Sequence, residues 1–344
     1  MVSITRGLAL VAAAALAVAN TVNAQKWCAT APSSPGDRRA DKTKLTYGTY
    51  NAEFLFLVGY GTLDCPGSDC KWTTKTAAQT HIETVAKVIK QLNVDVLQLT
   101  EIEDCAVLQK LITAIGDTTY KPYVIKGTDT STGQNVGLIT RVDPTVDLKR
   151  SETKATIPIA NSTCPGTKGS GSKSVSKHFY TTIKPTGFSK AITIVGAHFL
   201  ANPQANDRCW DREAQSEVIR GLMSSAVSSG NHVIVSGDLN DWSKSPFDHV
   251  KNAPISNVLG NLEGSGFHNA ANYALESTRF SQWYDSNDDC TYTTKECSSL
   301  DHIIISNSLK SAVTNAKFHN DLYNASCGGY NSDHYPITVT LKPF

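Results

Sequence analysis

With 344 residues, 40% of them hydrophobic and 18% charged, the chain fits a soluble globular protein that can bury a sizeable core. Its formal net charge of +1 excludes a bulk pull toward nucleic acid or an anionic membrane, so any polyanion affinity must come from a local patch. After the first two dozen positions no apolar run approaches 18 residues, which excludes a membrane-spanning helix by pattern.

In chain order, residues 1–24 read as a secretory signal. Arg6 supplies the positive start, "LALVAAAALAVA" the apolar stretch and Val22-Asn23-Ala24 a small-residue cleavage site. Its removal leaves 31 basic and 31 acidic residues in a chain expected outside the cell. Residues 25–44 form a loose N-terminal segment, and residues 45–344 read as one domain, with neither an internal repeat nor a long linker. "KLTYGTYNAEF" is strand-like, and "AAQTHIETVAKVIKQLN" sets Ala78, Ile82, Val85, Ala86, Ile89 and Leu92 on one helical stripe. "VDVLQLT" predicts a strand, and "EDCAVLQKLITAI" a helix buried through Val107, Leu108, Leu111, Ile112 and Ile115. Three strands follow in "QNVGLITR", "HFYTTIKP" and "KAITIVGAHFL", then a helix in "DREAQSEVIRGLMSSA" with Asp211 as its N-cap. "HVIVSGDLN", "SLDHIIIS" and "YPITVTL" complete the strands. Strands joined without an intervening helix, as at 178–199, predict a mixed-sheet sandwich covered by helices rather than a purely parallel sheet.

The Gly/Ser/Lys stretch at 166–178, with Lys168, Lys173 and Lys177, reads as a solvated loop or a small polyanion patch. Nine cysteines in a secreted chain predict disulfides, and the short spacings favour Cys65–Cys70 and Cys290–Cys297. The spacings are too loose for a zinc site. Asn161 and Asn324 head permitted glycosylation sequons.

Polar residues recur where strands end. Asn51 and Glu53 follow the first strand and Glu101 the second; His198 ends another. Asp238 and Asn240 close "HVIVSGDLN", Asp301 and His302 open "HIIIS", and Asp333 and His334 precede the last strand. Any one of these is an ordinary turn residue. Collected at one sheet edge, they combine hard oxygen donors suited to Mg²⁺, Mn²⁺ or Ca²⁺ with imidazoles able to exchange protons near neutral pH. No Ser sits in a nucleophile elbow. The inventory suits a divalent-ion site that turns water against a phosphoester.

The ordered set "TYNAEFLF", "LQLTEIED", "VGAHF", "VSGDLND", "SLDHIII" and "SDHYPI" resembles the endonuclease/exonuclease/phosphatase superfamily, and its ending resembles the deoxyribonuclease and sphingomyelinase branches. The resemblance implies an α/β fold, a four-layer α/β/β/α sandwich with two mixed β-sheets. It implies Asn51, Glu101 and Asp333 at the metal, Mg²⁺ first, with Mn²⁺ or Ca²⁺ as substitutes. It implies Asn240 on a phosphate oxygen, and Asp238, His198 and the Asp301–His334 pair in catalysis. Glu53 matches an acid of some secreted nucleases or a plain turn position. Arg208, Arg212 and Gln215 either meet phosphate or start an exposed helix, and Trp242 and Tyr335 either stack on a base or pack.

The leading expectation is a secreted metal-dependent phosphodiesterase, a nuclease hydrolysing DNA, with RNA as a second candidate substrate, without stable membrane insertion or an inferred protein partner. The alternative is a sphingomyelinase-type phospholipase C acting on a phospholipid head group, with "EFLFLVGYG" as a lipid-reaching loop or as core. A third reading is a non-catalytic binding protein on the same sandwich.

Overall fold

Alternation of short apolar runs with amphipathic helices yields two sheets, each covered by helices on its outer face. The structure is a computed structural model that describes residues 26–57, 70–166, 169–264, 266–287, 289–291, 293–323 and 331–344. The expected signal segment, Cys65, Lys168, the Asn324 sequon, Cys327 and the end of "EFLFLVGYG" lie outside them.

The chain begins with β1 (Leu45–Leu55), α1 (Lys75–Leu92), β2 (Val96–Ile102) and α2 (Cys105–Ile115). It continues through β3 (Lys121–Val124), β4 (Asn135–Thr140) and two short strands, β5 (Ala155–Thr156) and β6 (Ser172–Lys173). Then come β7 (Lys177–Ile183), β8 (Ile192–His198), α3 (Asn206–Ser228), β9 (His232–Asp238), α4 (Val258–Glu263) and β10 (Phe267–Asn269). A small hairpin pairs β11 (Gln282–Trp283) with β12 (Cys297–Ser298), before β13 (Asp301–Ser306), β14 (Val313–Phe318) and β15 (Ile337–Leu341).

One sheet has the order β14-β15-β1-β2-β4-β3 and the other β10-β13-β9-β8-β7. Only β1/β2 and β8/β9 pair in parallel, so both sheets are mixed, as expected. Tyr47, Val96, Leu138 and Val339 of the first sheet meet Phe179, Ile194, Ile234 and Ile303 of the second in a central core. A hydroxyl pair, Tyr47 Oη to Ser236 Oγ at 2.6 Å, also joins the two sheets. Helices α1 and α2 bury Ile82, Val85, Leu108 and Leu111 on the outer face of the first sheet. Helices α3 and α4 bury Ala214, Ile219, Met223 and Leu259 on the outer face of the second. The layering is therefore α/β/β/α.

Local chemistry fixes the helix ends. The Thr74 hydroxyl accepts from Ala77 N and caps α1, and the Asp104 carboxylate accepts from Ala106 N and Val107 N to cap α2. Helix α3 differs from expectation. It starts at Asn206 behind Ala205, with no side-chain cap, and Asp211 lies one and a half turns inside, paired with Lys173 at 2.9 Å. The extra turn is held by the Cys164–Cys209 disulfide and by Trp210, which packs in the core over the outer face of the second sheet. A second disulfide, Cys28–Cys105, ties the N-terminal segment to the start of α2. The expected Cys290–Cys297 bridge is not formed: Cys290 is in a disulfide, while Cys297 keeps a buried thiol. Among the described residues no helix is long and apolar enough to cross a membrane.

Candidate active site

Register places one row of functional side chains at the edge of the second sheet. Lys177 pairs with His198 across β7/β8, His198 with Asp238 across β8/β9, and Asp238 with Asp301 across β9/β13. Residues in register on neighbouring strands share a face, so these four side chains stand together. Gly237 makes the row possible. Its φ is +136°, and a Cβ there would lie 1.8 Å from the Ala197 carbonyl oxygen.

The first sheet supplies the facing groups. Strands β1 and β2 end irregularly, with a register shift after Asn51 and left-handed backbone at Glu53, Phe54 and Glu101. This turns Asn51 and Glu101 toward the second sheet. Asn51 Nδ2 donates to Glu101 Oε1 at 3.0 Å and to Asp238 Oδ2 at 3.1 Å. His334, delivered just before β15, has its Nδ1 2.6 Å from Asp301 Oδ2. Asp238 Oδ2 is the focus: His198 Nε2 stands 3.6 Å from it and His334 Nε2 3.9 Å. The structure thus brings Asn51, Glu101, His198, Asp238, Asp301 and His334 together.

The other expected site residues lie at the margin. Asn240 is held in left-handed backbone with its Nδ2 donating to the Phe199 carbonyl, and it lines the cavity beside Asp238. Asp333 lines the same cavity, its amide donating to Glu53 Oε2 at 3.0 Å, while Lys71 pairs with Glu53 Oε1 at 2.9 Å. Glu53 is therefore a buried brace rather than a solvent-exposed turn residue.

Burial and crowding set the electrostatics. Burial drives Asp238 up to about 7; Asp301 and Glu101 add to the rise, and His334 opposes it. Burial likewise raises Glu101, against the pull of Lys177 and the Asn51 hydrogen bond. Glu53 rises to about 8 through burial and the neighbouring Asp333. Burial acts to lower His334, but Asp301 and Asp333 outweigh it and hold the imidazole well above its ordinary value. His198 goes the other way, pushed well down by burial and then by Lys177 and His334. Its Nδ1 is buried without a hydrogen-bond partner among the described residues.

A divalent cation fits this donor set. Ligand atoms of Glu101, His198 and Asp238 all lie within 4.8 Å of one another, as do those of Asp238, Asp301 and His334. Asp301 Oδ1 is a buried acceptor without a hydrogen-bond partner among the described residues. Carboxylates buried close together, as Asp238 and Glu101 are, are the groups whose charge a hard cation neutralises.

Two members were not legible as such. Lys177, read as part of a flexible loop, opens β7 as a largely buried cation whose Nζ donates to Gln134 Oε1 at 3.1 Å. Gln134 Nε2 in turn donates to Glu101 Oε2 at 2.7 Å. The strand pattern after Lys177 was the available signal. Other expectations move away from the chemistry. Arg212 is buried, its guanidinium donating to the carbonyls of Asn202 and Pro203, and Gln215 Oε1 accepts from Leu200 N, so both clamp the loop after β8. Arg208 reaches the Ala201 carbonyl. His302 and Asp241 are buried neighbours, with His302 Nε2 bonded to the Asp241 carbonyl. Tyr335 is packed edge-on against Phe280, which leaves no face for a base. Trp242 is buried in the cavity wall.

The cavity over this row measures about 910 Å³ and runs from Glu101 and His198 to the hairpin at 282–298. The endonuclease/exonuclease/phosphatase family model matches residues 48–333. No curated protein matches the chain by sequence. Among solved structures, a Bacteroides vulgatus endonuclease/exonuclease/phosphatase protein aligns at a TM-score of 0.55 and 15% identity, covering 88% of this chain and 100% of that one. Truncated Caenorhabditis elegans TDP2 aligns at 0.52 and 15%, covering 87% and 97%. D. rerio TDP2 complexed with single-strand DNA product aligns at 0.50 and 16%, covering 87% and 98%. At these identities the likeness is one of fold. With the family model spanning most of its length, the chain belongs to the endonuclease/exonuclease/phosphatase family.

Proposed function

We propose that the chain is a secreted, divalent-metal-dependent phosphodiesterase whose substrate is nucleic acid, DNA before RNA. Its family is one of hydrolases that typically act on phosphodiester bonds. The observation that carries the reading is the convergence of polar residues from β1, β2, β8, β13 and the segment before β15 around Asp238, with two imidazoles within 3.9 Å of its Oδ2. The single-strand DNA in the D. rerio TDP2 structure supports nucleic acid as the substrate class. Disulfides in the fold support the oxidising compartment that the signal-like start suggests.

Glu101, Asn51, Asp238 and Asp333 are the residues that would hold the cation. When bound, it supplies positive charge to the non-bridging phosphate oxygens and relieves the crowded carboxylates. His334, oriented through Nδ1 by Asp301, uses Nε2 in its neutral form to take a proton from the attacking water; the surrounding acids shift that form to the alkaline side of the ordinary imidazole range. Asn240 offers its side-chain amide to orient the phosphate. His198, neutral at this depth, donates an N–H hydrogen bond toward the leaving oxygen as its P–O bond breaks. That oxygen takes its proton from solvent, and His334 returns its own to solvent.

The lipid reading gains nothing from the first candidate loop, because Phe54, Leu55 and Phe56 are buried. The test incubates purified mature protein with plasmid DNA, RNA and sphingomyelin vesicles, in Mg²⁺, Ca²⁺ or chelator. Cleavage of nucleic acid that stops in chelator is expected. Cleavage of sphingomyelin alone would overturn the substrate, and chelator-resistant cleavage would overturn the metal.

A further inference from the structure

The hairpin at 282–298 is a wall of the cavity, and its attachment to the catalytic segment is direct. Gln282 bridges His334, Trp283 N donates to the Asp333 carbonyl at 3.0 Å, and Tyr335 N donates to the Ser281 carbonyl. Ser281 Oγ also accepts from Asp301 N at 3.0 Å, so one turn holds both members of the Asp301–His334 pair. The next residue along, Tyr284, lines the same cavity yet is 65% exposed. An aromatic ring left this open in a cavity wall loses the burial that would otherwise favour it.

The hairpin backbone that carries the ring is braced on both strands. Tyr284 N donates to the Glu296 carbonyl at 3.1 Å. The Glu296 carboxylate accepts from Trp283 Nε1, Thr293 Oγ1 and Ser286 Oγ. Asp285 accepts from the amides of Asp289 and Cys290, and Cys290 is in a disulfide. Both acids beside Tyr284 are thus engaged in bracing the turn. The cavity is far larger than one phosphodiester group, so a group attached to the phosphate must occupy the space between His334 and the hairpin.

We propose that Tyr284 is the stacking platform for an unpaired nucleobase adjoining the scissile phosphate. This rests on the nuclease reading and deepens it, because a base-bearing strand is preferred over the same backbone without bases. Every nucleobase offers a π-face, so such a platform tolerates any sequence and favours single-stranded stretches.

The test compares wild type, Tyr284→Ala and Tyr284→Phe on two Mg²⁺-containing substrates of equal length and charge. One is a mixed-sequence single-stranded oligonucleotide; the other is the same backbone carrying abasic tetrahydrofuran units. Stacking predicts that Y284A loses about tenfold in kcat/KM on the base-bearing strand, mainly through KM, while Y284F keeps wild-type values. On the abasic strand Y284A should match wild type. Equal losses on both strands, or no loss on either, would overturn the platform while leaving the nuclease reading standing. Wild type inactive on both strands but active on plasmid DNA would overturn the platform alone; wild type inactive on plasmid DNA and RNA as well would remove the nuclease reading, and the platform with it.

Discussion

At the end of the sandwich where β1 and β2 begin, Asp143 receives both terminal guanidinium nitrogens of Arg38 at 2.6 Å. Asp37 there is gripped by Arg39 and Lys42, and Asp117 by Arg141 at 2.8 Å. Burial opposes ionisation at each, yet these bonds hold Asp37 and Asp143 below the usual range and bring Asp117 to about 2. Asp95 is the exception, raised by burial despite Arg141 at 3.6 Å. At the opposite end, Asp238, Glu101 and Glu53 are all raised. Among the described residues no arginine lines that cavity, where Lys71 and Lys295 are the lysines. The same residue types therefore stabilise one end and strain the other, and the strained end is where an added cation would gain most.

The largest expected effect of breaking this contrast falls on turnover. Glu101→Gln and His334→Ala should each lower metal-dependent diester hydrolysis by about 10²–10⁴-fold, the scale of a lost positioned proton transfer or charge contact. Glu101→Gln should not lower the melting temperature, because it removes a charge from a crowded buried cluster. His334→Ala should lower it, because buried Asp301 loses its 2.6 Å partner, so its turnover is read per folded molecule. A folded variant with near wild-type turnover would remove that residue from the chemistry. Lys177→Met comes next. It deletes the buried cation that reaches Glu101 through Gln134, and a loss of roughly tenfold to a hundredfold in kcat/KM is expected, with Lys177→Arg retaining more. Equal behaviour of Met and Arg variants would show that charge at this position is irrelevant.

The paired end predicts the reverse pattern. Arg38→Ala should cost about 2 kcal/mol of stability in denaturant melts, since a two-pronged charged contact is lost and Asp143 is left half-satisfied. Turnover per folded molecule should not change. Loss of activity without loss of stability would contradict the division between the two ends.

What the sequence made legible follows from this division. Short apolar runs ending in Asp, Asn, Glu or His marked the strand termini, and five of those residues meet around a sixth, Asp238. Register was not legible, because nothing in "KHFYTTI" says that Lys177 lies opposite His198. Composition misled at the same place: Gly and Ser before Lys177 suggested a solvated loop. Arg212 was hidden because a buried arginine satisfied by loop carbonyls looks like an exposed one in a polar helix start. Tyr284 sits in a hairpin with neither period 2 nor period 3.6, so no pattern singled it out. The disulfides Cys28–Cys105 and Cys164–Cys209 span 77 and 45 residues, beyond what spacing alone can suggest.

The smallest effect sharpens the comparison most, because it reads the strain itself. Asp238 ionises in an unfolded chain near the ordinary carboxylate value and in the folded one at about 7. Between these values the folded protein holds a proton that the unfolded chain has lost, so this group's contribution to stability falls as pH rises through that window. Asp238→Asn fixes the neutral state at nearly the same shape. Without metal, D238N should therefore melt higher than wild type at pH 8, by roughly 2–4 °C, and the gap should narrow through pH 5 and close only below the ordinary carboxylate value. Mg²⁺ should raise the wild-type melting temperature at pH 8 and leave D238N nearly unmoved, since the carboxylate it would neutralise is gone. Asp143→Asn should show the opposite slope: its paired carboxylate stabilises the fold above the ordinary carboxylate range, so the variant melts lower at pH 8 and approaches wild type in acid. Parallel pH curves for D238N and D143N would mean that the two ends are not electrostatically distinct.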